Sequence, residues 1–397
     1  MTYSARLIRV EAHGDREVLV TDQDGMPPIE INMYLAGFRA KSHSYRLSIA
    51  RAIVKIHMWA ESLNINLLER IKSGEFLYFQ EIESFREYLR YRINAPTHAP
   101  QTIEIAQTCF ICADTYKTRA RLIGKYLNYL GDVWAGTRKR SDPYSVELNN
   151  FIASFRQLIV EREGVTYTKQ RYGLSEEVVE KLLWWIKPEN PLNPFQKRVQ
   201  LRNQLVVSIL LFTGAREGEL LSMRPDALVK KTYGYALRIT QNTTLDQDPR
   251  ANPPNVKTYG RDIPVDDYIA QLTDVYIQSE RKQRGRIVAK APPYLFLNSN
   301  LVPKPMSYRC VYHICERLRE VDPEHLSTLH PYQFRHTFND LLVLNSELDP
   351  NSEEFKNTQR NLCGWSENSE QGINYTKRSR EILAARILKK MTSRFNV

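Results

Sequence analysis

The chain has 397 residues, enough for two or three domains that each bury a core. Hydrophobic residues make up 42% of it with no low-complexity tract, which excludes a disordered chain. Lys and Arg total 56 against 45 Asp and Glu, and the resulting +11 argues for a polyanionic partner, since solubility does not demand a positive sign.

The longest apolar run, residues 205–212, is too short to span a bilayer. The first twenty residues lack the apolar core and small-residue cleavage site of a signal peptide. No membrane partner is expected, and the expected location is cytoplasmic. Five cysteines, an odd number, fit reduced thiols. Cys109 and Cys112 form a lone CxxC without a second pair at zinc spacing, and are expected as core thiols on one helical face.

Residues 5–24 alternate and break at His13-Gly14-Asp15, which predicts a β-hairpin within an N-terminal segment 1–28. Residues 29–162 then read as a helical domain. "SYRLSIARAIVKIHMWAESL" carries Leu47, Ile49, Ala50, Ile53, Ile56 and Trp59 on one face, with Arg46, Arg51 and Lys55 off it. "IESFREYLRYRI" and "TYKTRARLIGKYLNYLGDVW" repeat the mixture of apolar stripe, basic residues and tyrosines. Solvated charge would explain one such helix, whereas three favour a surface that tracks phosphates, with Arg46 and Arg51 as candidate contacts. "GTRKRSDPY" is a basic break, and a further helix is expected over 145–163.

Residues 163–173, "EGVTYTKQRYG", have the polarity and Gly punctuation of a linker, and Lys169 and Arg171 are its candidate DNA contacts. A second domain is expected over 174–397, opened by a helix with Ser175 as N-cap. It reads as mostly helical, with strand-like "YGYALRIT" and "GRDIPV" around a Pro-rich loop.

Four stretches of this half bear chemistry. In "TGAREGEL" a helix breaks at Gly214, and Arg216 falls in the first turn of the next, a place suited to meeting an anion. Glu219 is spaced to buttress that guanidinium or cap the helix; alone, the two read equally as a structural ion pair. Lys257, in "NVKTYGRDIPV", is expected near a hairpin tip from which it can swing into a cleft, although an ordinary exposed lysine fits as well. In "HPYQFRHTF" Pro331 suits a helix start, and Phe334, Phe338, Leu341 and Leu342 mark a buried face. Tyr332 and Arg335 share a side of that helix and both can donate to one oxyanion. His336 is expected to point elsewhere, behind the site. The fourth stretch, "NLCGWSENSEQGINY", places Tyr375 ten residues after Trp365.

In this order the four stretches resemble the tyrosine recombinase (phage integrase) family. "TGAREGEL" resembles its first arginine box and "VKTYGRDIPV" its β-hairpin lysine. "YQFRHTF" resembles its His-x-x-Arg-His box, and "LCGW…Y" its His/Trp-to-tyrosine segment. The resemblance covers about 174–380, and the helical half is similar in kind to the family's core-binding domain. Two departures stand out. Tyr332 occupies the usual first histidine of the third box, His330 lying two positions too early, and a phenol is a poor base at neutral pH. The interval from Trp365 to Tyr375 is one residue longer than the family pattern.

The resemblance implies a mainly α fold with a small β-sheet: an α+β catalytic domain joined to a helical core-binding domain. It implies a site-specific recombinase, the integrase of a mobile genetic element, that acts on double-stranded DNA in the nucleoid. Arg216 and Arg335 would clamp the scissile phosphate, and Tyr375 would attack it to leave a 3′-phosphotyrosyl link. Lys257 would protonate the leaving 5′-oxygen, Tyr332 would donate a hydrogen bond, and Trp365 would donate its indole N–H or pack the site. Glu219 and His336 would stand behind these groups. No metal or cofactor is implied. Self-association into a tetramer on DNA is implied, with accessory DNA-bending factors as further partners. The apolar repeat Ala384, Leu388, Met391 and Phe395 reads as a helix that packs back on its own domain or, as the resemblance implies, docks on a neighbouring protomer. The rival readings are a type IB topoisomerase-like nicking-closing enzyme and a DNA-binding protein with a decayed active site.

Overall fold

Burial alternates along Arg16–Thr21 (β2), which pairs with Ser4–Arg9 (β1) as an antiparallel ribbon, Ser4 opposite Thr21 and Arg9 opposite Arg16. The computed structural model describes residues 3–10, 16–92, 110–161, 172–241, 248–256 and 258–393. The expected turn at 13–15 therefore lies outside the described residues. By internal packing the chain divides into two compact units, 1–170 and 171–397.

In the first unit the ribbon is followed by α1 (Ile29–Ala36), α2 (His43–Ser62), α3 (Leu67–Ser73), α4 (Phe79–Leu89), α5 (Ala113–Ala135) and α6 (Pro143–Phe155). The last of these runs into a π-helical stretch, Arg156–Glu161. Aromatic pairs fill the core: Trp59 meets Phe85 at 5.1 Å between ring centroids, and Phe76 stacks on Phe151 at 5.1 Å. His57 shares a hydrogen bond of 2.9 Å with Tyr126, and burial pushes its imidazole down to about 4.

Three expectations are corrected here. Arg46 does not lie on an outward cationic face. It is 3% exposed, its guanidinium bonded to the Glu17 carboxylate and to the Arg16 carbonyl, because the ribbon lies across the start of α2 and buries a second side of it. Lys55 is buried too, its ammonium 3.9 Å from the Tyr88 ring centroid. Cys112 is exposed just before α5, so it is not a core thiol, while Cys109 lies outside the described residues. Arg51 is exposed.

The second unit opens with α7 (Glu176–Trp185), where Ser175 Oγ accepts from the Val178 amide at 3.3 Å. α8 (Lys197–Thr213) is buried almost all round over Leu205–Leu211 and forms the unit's central strut. It ends at Gly214 and is followed by α9 (Glu217–Ser222). Leu228–Lys231 (β3), Gly234–Ile239 (β4) and Arg261–Val265 (β5) make an antiparallel sheet in that order, with Ala236 opposite both Val229 and Pro264. Then come α10 (Asp267–Tyr276), a π-helical stretch Ile277–Arg281, α11 (Lys282–Gly285), α12 (Tyr308–Val321) and α13 (Pro323–Leu326). The chain continues through α14 (Pro331–Asn345), α15 (Glu353–Cys363), α16 (Gly372–Tyr375) and α17 (Lys377–Ser393). The fold is mainly α with small antiparallel sheets. No helix among the described residues is long and apolar enough to cross a membrane.

Candidate active site

Gly214 makes the first element of the site possible. Its φ of +59° lets α8 stop in the left-handed region, and a Cβ there would stand 2.3 Å from the Phe338 ring. The chain turns so tightly that Arg216 becomes the residue capping α9, one position before the helix proper. Glu219 Oε2 accepts from the Arg216 amide at 2.9 Å, and Oε1 accepts from Arg216 Nη1 at 3.2 Å. The two alternatives open in the sequence are thus both realised: one carboxylate caps the helix and holds the guanidinium.

Glu219 has further partners. Arg261, the first residue of β5, donates Nη2 to Oε2 at 2.9 Å and Nη1 to Oε1 at 3.1 Å, and Thr258 Oγ1 donates to Oε1 at 2.7 Å. Burial alone would raise the Glu219 carboxyl. The hydrogen bonds and charge of Arg261, the Arg216 amide and the Thr258 hydroxyl outweigh it and bring the group to about 2.

α14 supplies the second arginine. Pro331 opens the helix, and Phe334 and Phe338 anchor one side of it in the apolar interior. Arg335 is 1% exposed and donates Nη1 to the Gly214 carbonyl and Nη2 to the Cys363 carbonyl at 2.7 Å. Arg216 Nη1 donates to that same Cys363 carbonyl at 3.0 Å. The two guanidiniums therefore converge on one oxygen at the end of α15. Burial, and next the charge of Arg335, lower the Arg216 guanidinium from its ordinary value.

Gly364, with φ +62°, then reverses the chain in a space only glycine fits, since a Cβ would lie 2.5 Å from Arg261 Nη1. Trp365 and Tyr375 follow, packed with Phe338 and Cys363 in a small apolar cluster. The Arg335 guanidinium lies 5.2 Å from the Trp365 ring centroid and 5.5 Å from that of Tyr375. Among the described residues, Arg335 Nε and Trp365 Nε1 are buried donors without an acceptor. Tyr375 is 6% exposed, and its hydroxyl is hydrogen-bonded to that of Tyr332, which is 39% exposed. Burial, reinforced by the bond from Tyr332 and opposed by Arg335 and Arg216, pushes the Tyr375 phenol up to about 12.

Arg216, Glu219, Tyr332, Arg335, Trp365 and Tyr375 thus come together from separate elements. His336 departs from expectation: instead of pointing away, its buried ring lies against Tyr375 at 4.7 Å between centroids and against Tyr332 at 5.4 Å. One turn separates Tyr332 from His336 on α14, and Tyr375 packs across both. Lys257, Lys169 and Arg171 lie outside the described residues. Sequence reasoning missed Thr258, Arg261 and the Cys363 carbonyl. The first two flank the Tyr-Gly of the lysine stretch, so their polarity beside that turn was the available signal.

No family model and no curated protein matches the sequence. Solved structures similar to this chain include the XerH site-specific recombinase bound to palindromic difH substrate in a post-cleavage complex. Identity there is 13%, covering 91% of this chain and 95% of that one, with a TM-score of 0.45. Another is the Tn1549 transposon integrase in complex with transposon right end DNA, at 17% identity over 90% of this chain and 99% of that one, TM-score 0.49.

Proposed function

We propose that this protein is a tyrosine site-specific DNA recombinase, the integrase of a mobile genetic element, which cleaves and rejoins strands through a 3′-phosphotyrosyl intermediate. The observation that carries the reading is the convergence of Arg216 and Arg335 on one oxygen, with the Arg335 guanidinium 5.5 Å from the centroid of the Tyr375 ring. Guanidiniums are planar, permanently charged donors suited to the nonbridging oxygens of a phosphodiester. They stabilise the charge that builds in a pentacoordinate transition state without reorganising. Glu219, itself held by Arg261, fixes Arg216 from behind, so its direction is set before substrate arrives.

Tyr375 Oη attacks the phosphorus as the P–O5′ bond breaks, which leaves a phosphotyrosyl link and a free 5′-hydroxyl. In this reading Lys257 protonates the leaving oxygen and Trp365 donates its indole N–H to the phosphate or packs it. The covalent link conserves the energy of the broken bond, so strands are resealed without ATP. Arg51, Lys169 and Arg171 contact the DNA backbone, α17 joins protomers into a tetramer on DNA, and accessory DNA-bending factors assist assembly.

The test uses a library of nicked duplexes of randomised sequence, on which cleavage near the nick loses a short strand and traps the adduct. A covalent protein–DNA band on a denaturing gel supports the reading, and its absence leaves a binding protein with an inactive site. Joint molecules formed between two trapped sites separate a recombinase from a nicking-closing enzyme.

A further inference from the structure

A nucleophile has to be aimed as well as present, and Tyr375 ends α16, a helix of four residues that is too short to hold a direction by itself. Its flanks are held from two adjacent residues of α14. On one side Asn339 Oδ1 accepts from Gln359 Nε2 at 2.9 Å, and Gln359 Oε1 lies so close to Gly372 that a Cβ there would stand 2.4 Å away. On the other, Asp340 Oδ1 accepts from the Ser379 amide at 2.9 Å, about one helical turn past Tyr375. The turn between is closed locally, Thr376 Oγ1 donating to the Gly372 carbonyl and Ser379 Oγ to the Thr376 carbonyl. Asn339, Asp340, Gln359 and Ser379 are all buried.

The second Asp340 oxygen faces Gly173, where a Cβ would stand 2.5 Å from it and 2.8 Å from the Thr337 Cα. Gly173 is fixed there because the Leu174 amide donates to Thr337 Oγ1 at 2.8 Å and Arg378 Nη1 donates to the Gly173 carbonyl at 2.9 Å. A buried carboxylate is costly, and an apolar side chain of similar volume would pack α14 against α17 at least as well. What the carboxylate adds is direction. It takes a backbone amide close to the nucleophile and ties it to the helix that carries Arg335.

We propose that Asp340 is a positioning residue for strand cleavage, one that holds the first turn of α17, and Tyr375 with it, at a set place relative to Arg335. The inference rests on the recombinase reading and assigns a residue within it. Asp340 acts through the Ser379 amide and not on the reacting atoms.

The test joins two readouts on the full chain. One is single-turnover adduct formation at saturating concentrations of the randomised nicked library. The other is the fluorine resonance of 3-fluorotyrosine placed at Tyr375 alone, recorded on the free protein. Asp340→Leu is expected to slow adduct formation about a hundredfold, the cost of displacing a reacting group by about 1 Å. DNA affinity should stay within about twofold of wild type, and the resonance should move or split as the segment loses its fixed place. The deficit should be the same with a 5′-bridging sulfur at the cleavable links, since aim and not proton supply is lost. Asp340→Asn keeps an oxygen for the Ser379 amide and should recover most of the rate together with the wild-type resonance. Ser379→Pro removes that amide from the other side, in a first helical turn where proline is tolerated, and should reproduce both effects. It decides the matter if Asp340→Leu does not fold. A wild-type rate in Asp340→Leu, or a slowed rate with an unmoved resonance, overturns the inference. So does a rate restored by the sulfur link, which would tie Asp340 to the leaving group, or Asp340→Asn as slow as Asp340→Leu. Wild-type protein that forms no adduct removes the recombinase reading, whereas a trapped wild-type adduct isolates the inference, and the resonance reports on the Asp340–Ser379 bond in either case.

Discussion

Arg216 and Arg335 donate to the same oxygen, the carbonyl of Cys363, from the cap of α9 and the middle of α14. Their exposures differ: the Arg216 side chain is 28% accessible, whereas Arg335 is 1% exposed and also holds the Gly214 carbonyl. Each substitution to alanine is expected to lower adduct formation by about a hundredfold or more, the scale of one preorganised oxyanion donor. Arg335→Ala should in addition strand the buried Gly214 carbonyl at a cost of about 1–3 kcal/mol, while the Cys363 carbonyl keeps its bond from Arg216. Urea melts beside single-turnover cleavage separate the effects: Arg216→Ala should be defective mainly in chemistry, Arg335→Ala in both. Either variant cleaving within about tenfold of wild type would contradict the assignment.

Tyr375→Phe removes one oxygen and keeps the ring that packs with Phe338, Cys363 and Trp365. Adduct formation should vanish while DNA affinity stays within about twofold, well under the tenfold that 1.4 kcal/mol represents. An adduct in the Phe variant would place the nucleophile on another tyrosine, which peptide mapping of the trapped strand would identify.

Glu219 makes a pH prediction with a definite sign. Its carboxyl is held at about 2 in the folded chain against an ordinary 4.5, so the charged form is favoured by folding. The stabilisation is complete above pH 4.5 and is lost as pH falls toward 2, on the order of 3 kcal/mol in all. Glu219→Gln cannot titrate and should unfold more readily at pH 7, with a flatter loss of stability between pH 4.5 and 2. Urea midpoints across that window check this, and parallel curves for variant and wild type would count against it.

The site was legible where a residue's place depended on its own neighbours in sequence. Pro331 and the spacing of Phe334 and Phe338 set the start and buried face of α14, and Gly214 set the break before Arg216. What depended on a distant surface was not legible. Arg46 looks solvent-facing on a helical projection, and only the ribbon lying across α2 buries it against Glu17. Arg261 and Thr258 read as ordinary strand and turn residues until β5 brings them to Glu219. His336 adjoins Arg335 in sequence and is expected behind the site, yet Tyr375 arrives from far along the chain to pack against it.

The contrast between Arg46 and Arg51 gives a prediction about DNA. A protein that neutralises roughly six to ten phosphates loses about 10³ to 10⁵ in affinity between 50 and 200 mM salt. Arg51 is exposed, and Arg51→Gln should reduce the slope of log affinity against log salt by about 0.9. Neutralising Lys169 and Arg171 should act in the same direction. Arg46→Gln should leave the slope alone and lower the melting temperature, since Arg46 holds Glu17 and the Arg16 carbonyl. Fluorescence anisotropy with duplex DNA in a salt series decides it, and a reduced slope for Arg46→Gln with unchanged melting would reverse the assignment.

The end of α17 carries the last prediction. Its beginning is tied down: Asp340 Oδ1 accepts from the Ser379 amide at 2.9 Å, and Arg378 Nη1 donates to the Gly173 carbonyl at 2.9 Å. Farther along, Ile387, Leu388 and Met391 are 59%, 60% and 54% exposed. In the proposed tetramer this apolar face is covered by a neighbouring protomer, as an amphipathic helix lies in a groove. Truncation after Ala385 removes the exposed half and keeps the anchors at Arg378 and Ser379. The truncated chain should melt within a few degrees of full length and bind DNA with unchanged affinity, since about 1 kcal/mol would shift the midpoint by roughly 2–4 °C in a unit of this size. Joint-molecule formation should collapse, and light scattering on DNA should show single protomers where the full chain assembles. Full recombination by the truncated chain would exclude docking through α17, and loss of folding would show that the helix stabilises its own unit.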